Sequence, residues 1–224
     1  MGKSFEIESL HCLCSSRVIK DKAAYILYPM DMLLGWVDAA AERYGTTIIV
    51  ITGMDWQNVF SPWPAKGVPK GSPDFKGESA RFMELFNGRV IPQTESVLGL
   101  EKDVTRTLVG VSMSGLYALW QWMQSRMFTN IACLSGSFWY TGFMEWMSKL
   151  KIPRKDGKGY FLLGTEEAKS RVRAFDSVEK NTREIVTLLE NAGIDVTFES
   201  VPGNHYSDPI PRLDRAFAAL SETD

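Results

Sequence analysis

The feature that most constrains the fold is the alternation of short apolar runs with helical patterns along the chain. Runs rich in valine, isoleucine, leucine and tyrosine predict buried strands at residues 24–28, 46–52, 107–111, 131–134, 160–163 and 196–201. Helical patterns occupy residues 33–44, 79–89 continuing past Pro92, 116–127, 177–192 and 211–220. Strands that alternate with helices predict the α/β class, with a mostly parallel central sheet covered by helices on both faces.

Length and composition describe an ordinary globular protein. The 224 residues are 45% hydrophobic and 23% charged, with a net charge of −2, which excludes disorder, collagen and coiled coil. We expect one domain over residues 1–224. A near balance of 25 basic and 27 acidic residues gives no field that would attract nucleic acid or an anionic membrane, so neither is expected as a partner.

The first residues of the chain and its cysteines indicate the cellular compartment in which the protein is expected. The first thirty residues contain no apolar block typical of a signal peptide, and no apolar stretch reaches the ~20 residues of a membrane span. Cys12, Cys14 and Cys133 are an odd number of cysteines, and one C-x-C pair is neither a zinc site nor a disulfide framework. These observations predict a cytoplasmic protein without a metal. Oligomeric state cannot be derived from them.

One segment interrupts the alternation. Residues 60–77 contain four prolines and three glycines, which exclude a long helix or a central strand. We therefore expect a loop, and loops of this length in a compact domain are often functional.

A strand-to-helix turn of small residues carries the strongest chemical signal. In residues 108–116 an apolar strand enters Gly110-Val111-Ser112-Met113-Ser114 and leaves as a helix. This resembles the G-x-S-x-G turn that exposes a nucleophilic serine, with Ser114 replacing the second glycine. Two alternatives stay open: Ser112 as a helix N-cap, and a phosphate-binding turn, although the spacing matches neither common phosphate-loop motif.

A nucleophilic serine needs a base and an acid. Of the two histidines, His11 precedes the first predicted strand, whereas His205 directly follows the last one. In α/β-hydrolase order the acid follows the penultimate strand, where Glu166 and Glu167 stand. We favour Glu167. Glu166 remains an alternative, and Asp176 is a third candidate that fits an N-cap better.

Taken together, these segments resemble the Putative esterase family of α/β-hydrolases, which includes esterase D-like enzymes and enterobactin-type siderophore esterases. The resemblance runs over residues 24–220. It rests on the Ser112 turn, on 60–63 (Phe-Ser-Pro-Trp), on 135–139 (Ser-Gly-Ser-Phe-Trp), on 164–167 and on 203–205. Two departures concern the substrate more than the fold: the family's Leu-Asp-Gly strand end is altered here, and Gly136 stands where proline is usual.

The resemblance implies a serine carboxylic-ester hydrolase of the α/β-hydrolase fold that needs no cofactor. Ser112 would attack, His205 would carry the proton and Glu167 would orient His205. The backbone N–H groups of Met113 and Met30 would bind the oxyanion, because Pro29 cannot donate.

The same resemblance places loop aromatics around a pocket for a small or aromatic ester: Trp63, Phe138, Trp139 and Tyr140. An acidic iron chelate would require converging cations, for which only Lys66, Lys70 and Lys76 on the proline-rich loop are available. An acyltransferase with the same triad and a catalytically silent scaffold that binds a ligand remain alternatives.

Overall fold

A computed structural model describes residues 2–28, 33–152, 157–169 and 172–221, without the side chains of 173 and 174. Its centre is an eight-stranded sheet in the order β1-β2-β4-β3-β7-β8-β9-β10. The strands are β1 (Lys3–Ile7), β2 (Leu10–Cys14), β3 (Lys22–Leu27), β4 (Thr47–Thr52), β7 (Thr105–Val111), β8 (Asn130–Leu134), β9 (Lys158–Gly164) and β10 (Asp195–Val201). A separate two-residue ladder pairs β5 (Pro64–Ala65) with β6 (Phe75–Lys76).

The six strands from β4 to β10 in this order are parallel, and β1 and β2 add an antiparallel edge. Parallel strands are covered on both faces, which explains why β3, β4 and β8 are almost continuously apolar. Their carboxyl ends lie at one edge of the sheet, where open α/β sheets place their ligand sites.

Helices pack on both faces of the sheet. Their bounds are α1 (Val37–Tyr44), α2 (Trp56–Val59), α3 (Ser79–Leu85), α4 (Ile91–Leu98), α5 (Met113–Gln124), α6 (Phe143–Lys149), α7 (Val178–Asn191) and α8 (Pro209–Ser221). A π-helical turn, Phe86–Val90, joins α3 to α4, and two 3₁₀ segments, Glu167–Lys169 and Arg173–Ser177, precede α7. Helices α1 and α8 enclose one apolar core, and α3 to α7 enclose the other.

The predicted α/β class and all six predicted strands are confirmed, with bounds that differ by one or two residues. The predicted helix that continues past Pro92 is present as α3, the π turn and α4. Pro92 lacks the N–H that the interior of an α-helix requires. The π-helical turn ends just before Pro92, at Val90. Helix α5 begins three residues earlier than expected, because the Ser112 turn leads straight into it.

Two strands of the central sheet and two helices were missed. Strand β1 is an exposed edge strand, and β2 contains His11, so His11 does not precede the first strand as predicted. Neither β1 nor β2 shows the continuous apolar run of a central strand. The short helices α2 and α6 also escaped prediction. Residues 60–77 are mainly loop, as expected, but they include the β5–β6 ladder.

None of the helices within the described residues is long and apolar enough to cross a membrane.

Candidate active site

Ser112 lies in a strained turn between β7 and α5. Its backbone has φ +58° and ψ −121°, a conformation that residues other than glycine rarely adopt. Gly110 makes the turn possible, because a Cβ atom there would lie 2.1 Å from the carbonyl oxygen of Ser114. The turn therefore lifts the Ser112 hydroxyl above the carboxyl end of β7, as in a nucleophile elbow.

Three side chains from separate loops meet at this turn. His205 follows β10, and its Nε2 lies 3.0 Å from Ser112 Oγ. Glu167 follows β9, and its Oε2 lies 3.0 Å from His205 Nδ1. A carboxylate only accepts hydrogen bonds, so Nδ1 of the neutral imidazole carries the hydrogen and Nε2 is left to accept one from Ser112.

Glu167 is buried, with 3% of its side chain exposed. Its Oε1 accepts hydrogen bonds from Ser135 Oγ at 2.6 Å and from the Gly164 N–H at 2.7 Å. Burial raises the pKa of Glu167, but the bonds from His205, Ser135 and Gly164 outweigh it, so this pKa lies below its usual value. Glu167 is therefore held as a carboxylate beside His205.

The other predicted candidates make no hydrogen bond to Ser112 or His205 among the contacts of the described residues. Glu166 and Asp176 are exposed, and among the contacts of the described residues Glu167 is the carboxylate that bonds His205. His11 lies on β2 and pairs with Glu6 at 2.9 Å. Ser112 makes no side-chain capping bond to α5, which disfavours the N-cap interpretation.

A cavity of about 530 Å³ opens at the same place. Its described lining combines the Ser112 turn, the loops after β8, β9 and β10, and the start of α7: Ser112, Ser135, Ser137, Trp139, Glu166, Glu167, Lys169, Phe175, Val178, Asn204, His205 and Tyr206. The Trp139 and Phe175 rings lie 4.8 Å apart and form an aromatic wall. Ser137 Oγ lies 3.3 Å from Ser112 Oγ.

Of the four aromatics predicted to line the pocket, Trp139 is in this lining, whereas Trp63, Phe138 and Tyr140 are not. Phe138 is 1% exposed and packs against Phe143, so it belongs to the core. Tyr140 is also buried and donates its hydroxyl hydrogen to the carbonyl of Trp63. Phe138 and Tyr140 are therefore buried in the core, whereas Trp63 is half-buried and donates its indole N–H to the carbonyl of Thr141.

Of the two backbone N–H groups predicted to bind an oxyanion, that of Met113 lies in the described residues. Met113 is the first residue of α5, and N–H groups in the first turn of a helix have no intrahelical acceptor. Its N–H is therefore available beside Ser112. Pro29 and Met30 lie outside the described residues.

Sequence reasoning missed two residues that support Glu167. Ser135 bonds Glu167 directly, and Arg212 Nη1 lies 3.2 Å from Glu167 Oε1. The signal for Arg212 was present: the buried stripe of α8 is Pro209, Arg212, Leu213, Ala216 and Phe217, and a charged residue on an apolar stripe needs a buried partner. Phe175 and Tyr206 in the cavity lining carried no comparable signal.

No three histidine, cysteine, aspartate or glutamate side chains in the described part of the chain are grouped so that they could hold a metal ion.

The parallel sheet, with its antiparallel edge and a strained serine turn after β7, defines an α/β-hydrolase. The family model described as Putative esterase matches residues 32–220. The chain therefore belongs to the Putative esterase family, as its motifs suggested. A relative in Bacillus subtilis (strain 168), "Uncharacterized protein YbbA", is 22% identical over 70% of this chain. The match covers 65% of that relative, less than two thirds of its length.

Solved structures share the fold at low identity. An IroE-like serine hydrolase from Shewanella oneidensis has a TM-score of 0.77 and 16% identity, covering 100% of this chain and 81% of that one. The siderophore hydrolase EstA from Aspergillus nidulans has a TM-score of 0.75 and 17% identity, covering 99% and 93%. The BES protein from Bacillus cereus has a TM-score of 0.73 and 17% identity, covering 99% and 96%.

Proposed function

We propose that this protein hydrolyses a carboxylic ester through an acyl-enzyme on Ser112. The observation that carries the proposal is the continuous pair of contacts from Glu167 Oε2 to His205 Nδ1 and from His205 Nε2 to Ser112 Oγ, both 3.0 Å. A serine on a strained turn that contacts a base, which in turn contacts a buried carboxylate, has the parts of a Ser-His-acid triad.

In the first half of the reaction His205 Nε2 takes the Ser112 proton while Oγ bonds the ester carbon. The alcohol then leaves with that proton. In the second half His205 takes a proton from water as the hydroxide attacks the acyl-enzyme, and it returns that proton to Ser112 Oγ when the acid is released. Glu167 holds the imidazole in the required tautomer and stabilises the imidazolium. The Met113 N–H, with a second donor expected at Met30, would bind the oxyanion.

The cavity lining favours a small or aromatic ester. Trp139, Phe175 and Val178 give an apolar wall close to Ser112. The proteins of known structure named siderophore hydrolases suggest iron-chelator esters as a second substrate to test. An acidic chelate calls for converging cations, and within the described lining Lys169 is the cation, with exposed Glu166 nearby. Lys66, one of the three lysines available on the proline-rich loop, pairs with Asp74 at 2.8 Å.

The test is covalent labelling with a fluorophosphonate probe, followed by peptide mass spectrometry. Modification of Ser112 in the native protein, lost in Ser112→Ala and strongly slowed in His205→Ala, would support the triad. Ser148→Ala, which alters an exposed serine on α6, is the matched control and should be labelled like the native protein. A folded native protein that is not modified would contradict the proposal and favour a silent binding scaffold.

Hydrolysis and acyl transfer differ in the molecule that takes the acyl group from Ser112, which is water in the first and an alcohol in the second. With an activated ester, release of the free acid should account for the turnover when an alcohol is added at millimolar concentration. Conversion of most of the acyl group to the new ester under those conditions would favour the acyltransferase alternative.

A further inference from the structure

We propose that Arg212, acting with Ser135, is a positioning group of the triad: its guanidinium holds Glu167 in place and ties it to the loop that carries His205. This inference rests on the proposed function. It assigns a role in the reaction to a residue of α8 that lies outside the triad.

The guanidinium of Arg212 joins three separate segments. Nη1 donates to Ser135 Oγ at 2.6 Å and lies 3.2 Å from Glu167 Oε1, and Nη2 donates to the carbonyl of Asn204 at 2.7 Å. These acceptors lie after β8, after β9 and directly before His205. Arginine suits this task because its planar fork can bond several acceptors at fixed angles.

The arrangement is tightly enclosed. The Arg212 side chain is 7% exposed, and that of Glu167 is 3% exposed. Gly164 borders the guanidinium, and a Cβ atom on Gly164 would lie 2.8 Å from Arg212 Nη2 and 2.4 Å from the carbonyl oxygen of Gly203. The loop after β9 therefore approaches the loop after β10 closely only because no side chain intervenes.

The two oxygens of Glu167 have different partners. Oε1 receives bonds from Ser135 and the Gly164 N–H and is close to Arg212, whereas Oε2 faces His205. Ser135 relays the interaction, because it accepts from Arg212 and donates to Glu167. With Oε1 fixed by these donors, the carboxylate cannot rotate away from the base, and Oε2 stays at bonding distance from His205 Nδ1.

A purely structural ion pair would show the same contacts, so charge must be tested separately from stability. Removal of the Arg212 charge leaves the hydrogen-bonded Glu167–His205 pair without its buried cation, so the pair binds a proton more readily. A protonated pair cannot act as the base. The acidic limb of the reaction's pH profile should therefore move to higher pH when the charge is lost.

The experiment measures the rate of Ser112 modification by the fluorophosphonate probe from pH 5 to 9. We expect Arg212→Met to react about 10²-fold more slowly at its optimum, with the acidic limb about one pH unit higher. Arg212→Lys keeps the charge but not the fork, so it should be about tenfold slower with the limb near its native position. Arg215→Met is the matched control, since Arg215 lies on the same helix, is exposed and pairs with Glu199.

Ser135→Ala provides a second variant that retains Arg212. It removes one donor to Glu167, which raises the pKa of that carboxyl, so the limb should move in the same direction by a smaller amount. Circular dichroism and thermal unfolding identify variants that do not fold. If Arg212→Met is among them, Arg212→Lys and Ser135→Ala decide the question.

The outcomes separate the two proposals. A folded native protein that the probe does not modify overturns the proposed function and this inference with it. A native protein modified at Ser112, with folded Arg212 and Ser135 variants that keep native rates, overturns the inference alone. Slow modification with an unmoved acidic limb in both Arg212→Met and Ser135→Ala would assign Arg212 a structural role and also overturn it.

Discussion

Ser114 Oγ lies 2.8 Å from the carbonyl oxygen of Leu27, and this contact ties the first turn of α5 to the end of β3. The same hydroxyl accepts a hydrogen bond from the Val111 N–H at 2.8 Å. Glycine, which is usual at this position of the motif, can make neither bond. The departure from G-x-S-x-G therefore adds a polar link between the Ser112 turn and β3. Strand β3 precedes residues 29–32, where the second oxyanion donor is expected.

Replacement of Ser114 by alanine is expected to lower the free energy of unfolding by about 1–2 kcal/mol, because the Val111 N–H and the Leu27 carbonyl lose this partner in a buried turn. Urea unfolding measures the change. The exposed Ser148→Ala is the control and should alter the free energy by less than about 0.5 kcal/mol. Equal effects of the two substitutions would show that the Ser114 bonds add nothing to stability.

Backbone strain at Ser112 gives a second prediction. Ser112→Gly and Ser112→Ala both remove the hydroxyl, but only glycine adopts φ +58° with ψ −121° without strain. Strain of about 1–3 kcal/mol exceeds the about 0.5–1 kcal/mol by which glycine's greater freedom stabilises the unfolded chain. We expect the glycine variant to melt at a higher temperature than the alanine variant. An alanine variant of equal or greater stability would mean that the turn is relaxed.

The parts of the site that follow strands could be predicted from sequence. Ser112, Glu167 and His205 each stand just after an apolar run, and the carboxyl ends of parallel strands meet at one edge of the sheet. Chain order and strand position were therefore sufficient to predict that these three residues, distant in sequence, lie close together. The sequence favoured Glu167 but left Glu166 open, because which of the two neighbouring side chains is buried depends on tertiary contacts.

The other features of the site and the fold depend on tertiary contacts that leave no recognisable pattern in the local sequence. Arg212 resembles an ordinary helix residue unless its position on the apolar stripe is noticed. Three of the four predicted pocket aromatics are absent from the described cavity lining, because sequence cannot distinguish a ring that faces a cavity, such as Trp139, from one that fills the core, such as Phe138. Strand β1 was missed because an exposed edge strand needs no apolar run.

The assignment of the acid gives a third prediction. Glu167→Gln should reduce kcat/KM on a short p-nitrophenyl ester by at least about 10²-fold, because the amide cannot hold the His205 tautomer as a carboxylate does. Glu166→Gln changes an exposed neighbour of identical chemistry and should cost far less. The measurement is steady-state hydrolysis at the pH optimum of each variant. Similar, mild losses in both variants would rule out Glu167 as the acid.

The lowered pKa of Glu167 predicts how stability depends on pH. A carboxyl with a lower pKa in the folded than in the unfolded chain stabilises the fold above its unfolded value, and this contribution is lost as pH falls through the folded value. The usual value is 4.5. The difference in unfolding free energy between the native protein and Glu167→Gln should therefore be larger at pH 7 than at pH 4.

Urea unfolding of both proteins at the two pH values measures this difference. Glu166→Gln is the matched control, and its difference from the native protein should change much less between pH 7 and pH 4. A difference for Glu167→Gln that stays constant, or grows on acidification, would contradict the lowered pKa.

The aromatic wall of the cavity gives the last prediction. If Trp139 and Phe175 bind an aromatic part of the substrate, Trp139→Leu should lower kcat/KM for ethyl phenylacetate about tenfold, through a higher KM, while ethyl acetate changes much less. Trp146→Leu is the control, because Trp146 packs against Trp63 and Phe143 and is not in the described cavity lining. Acid release is followed with a pH indicator. An equal loss for both esters in Trp139→Leu would indicate damage to the triad geometry instead of a lost aromatic contact.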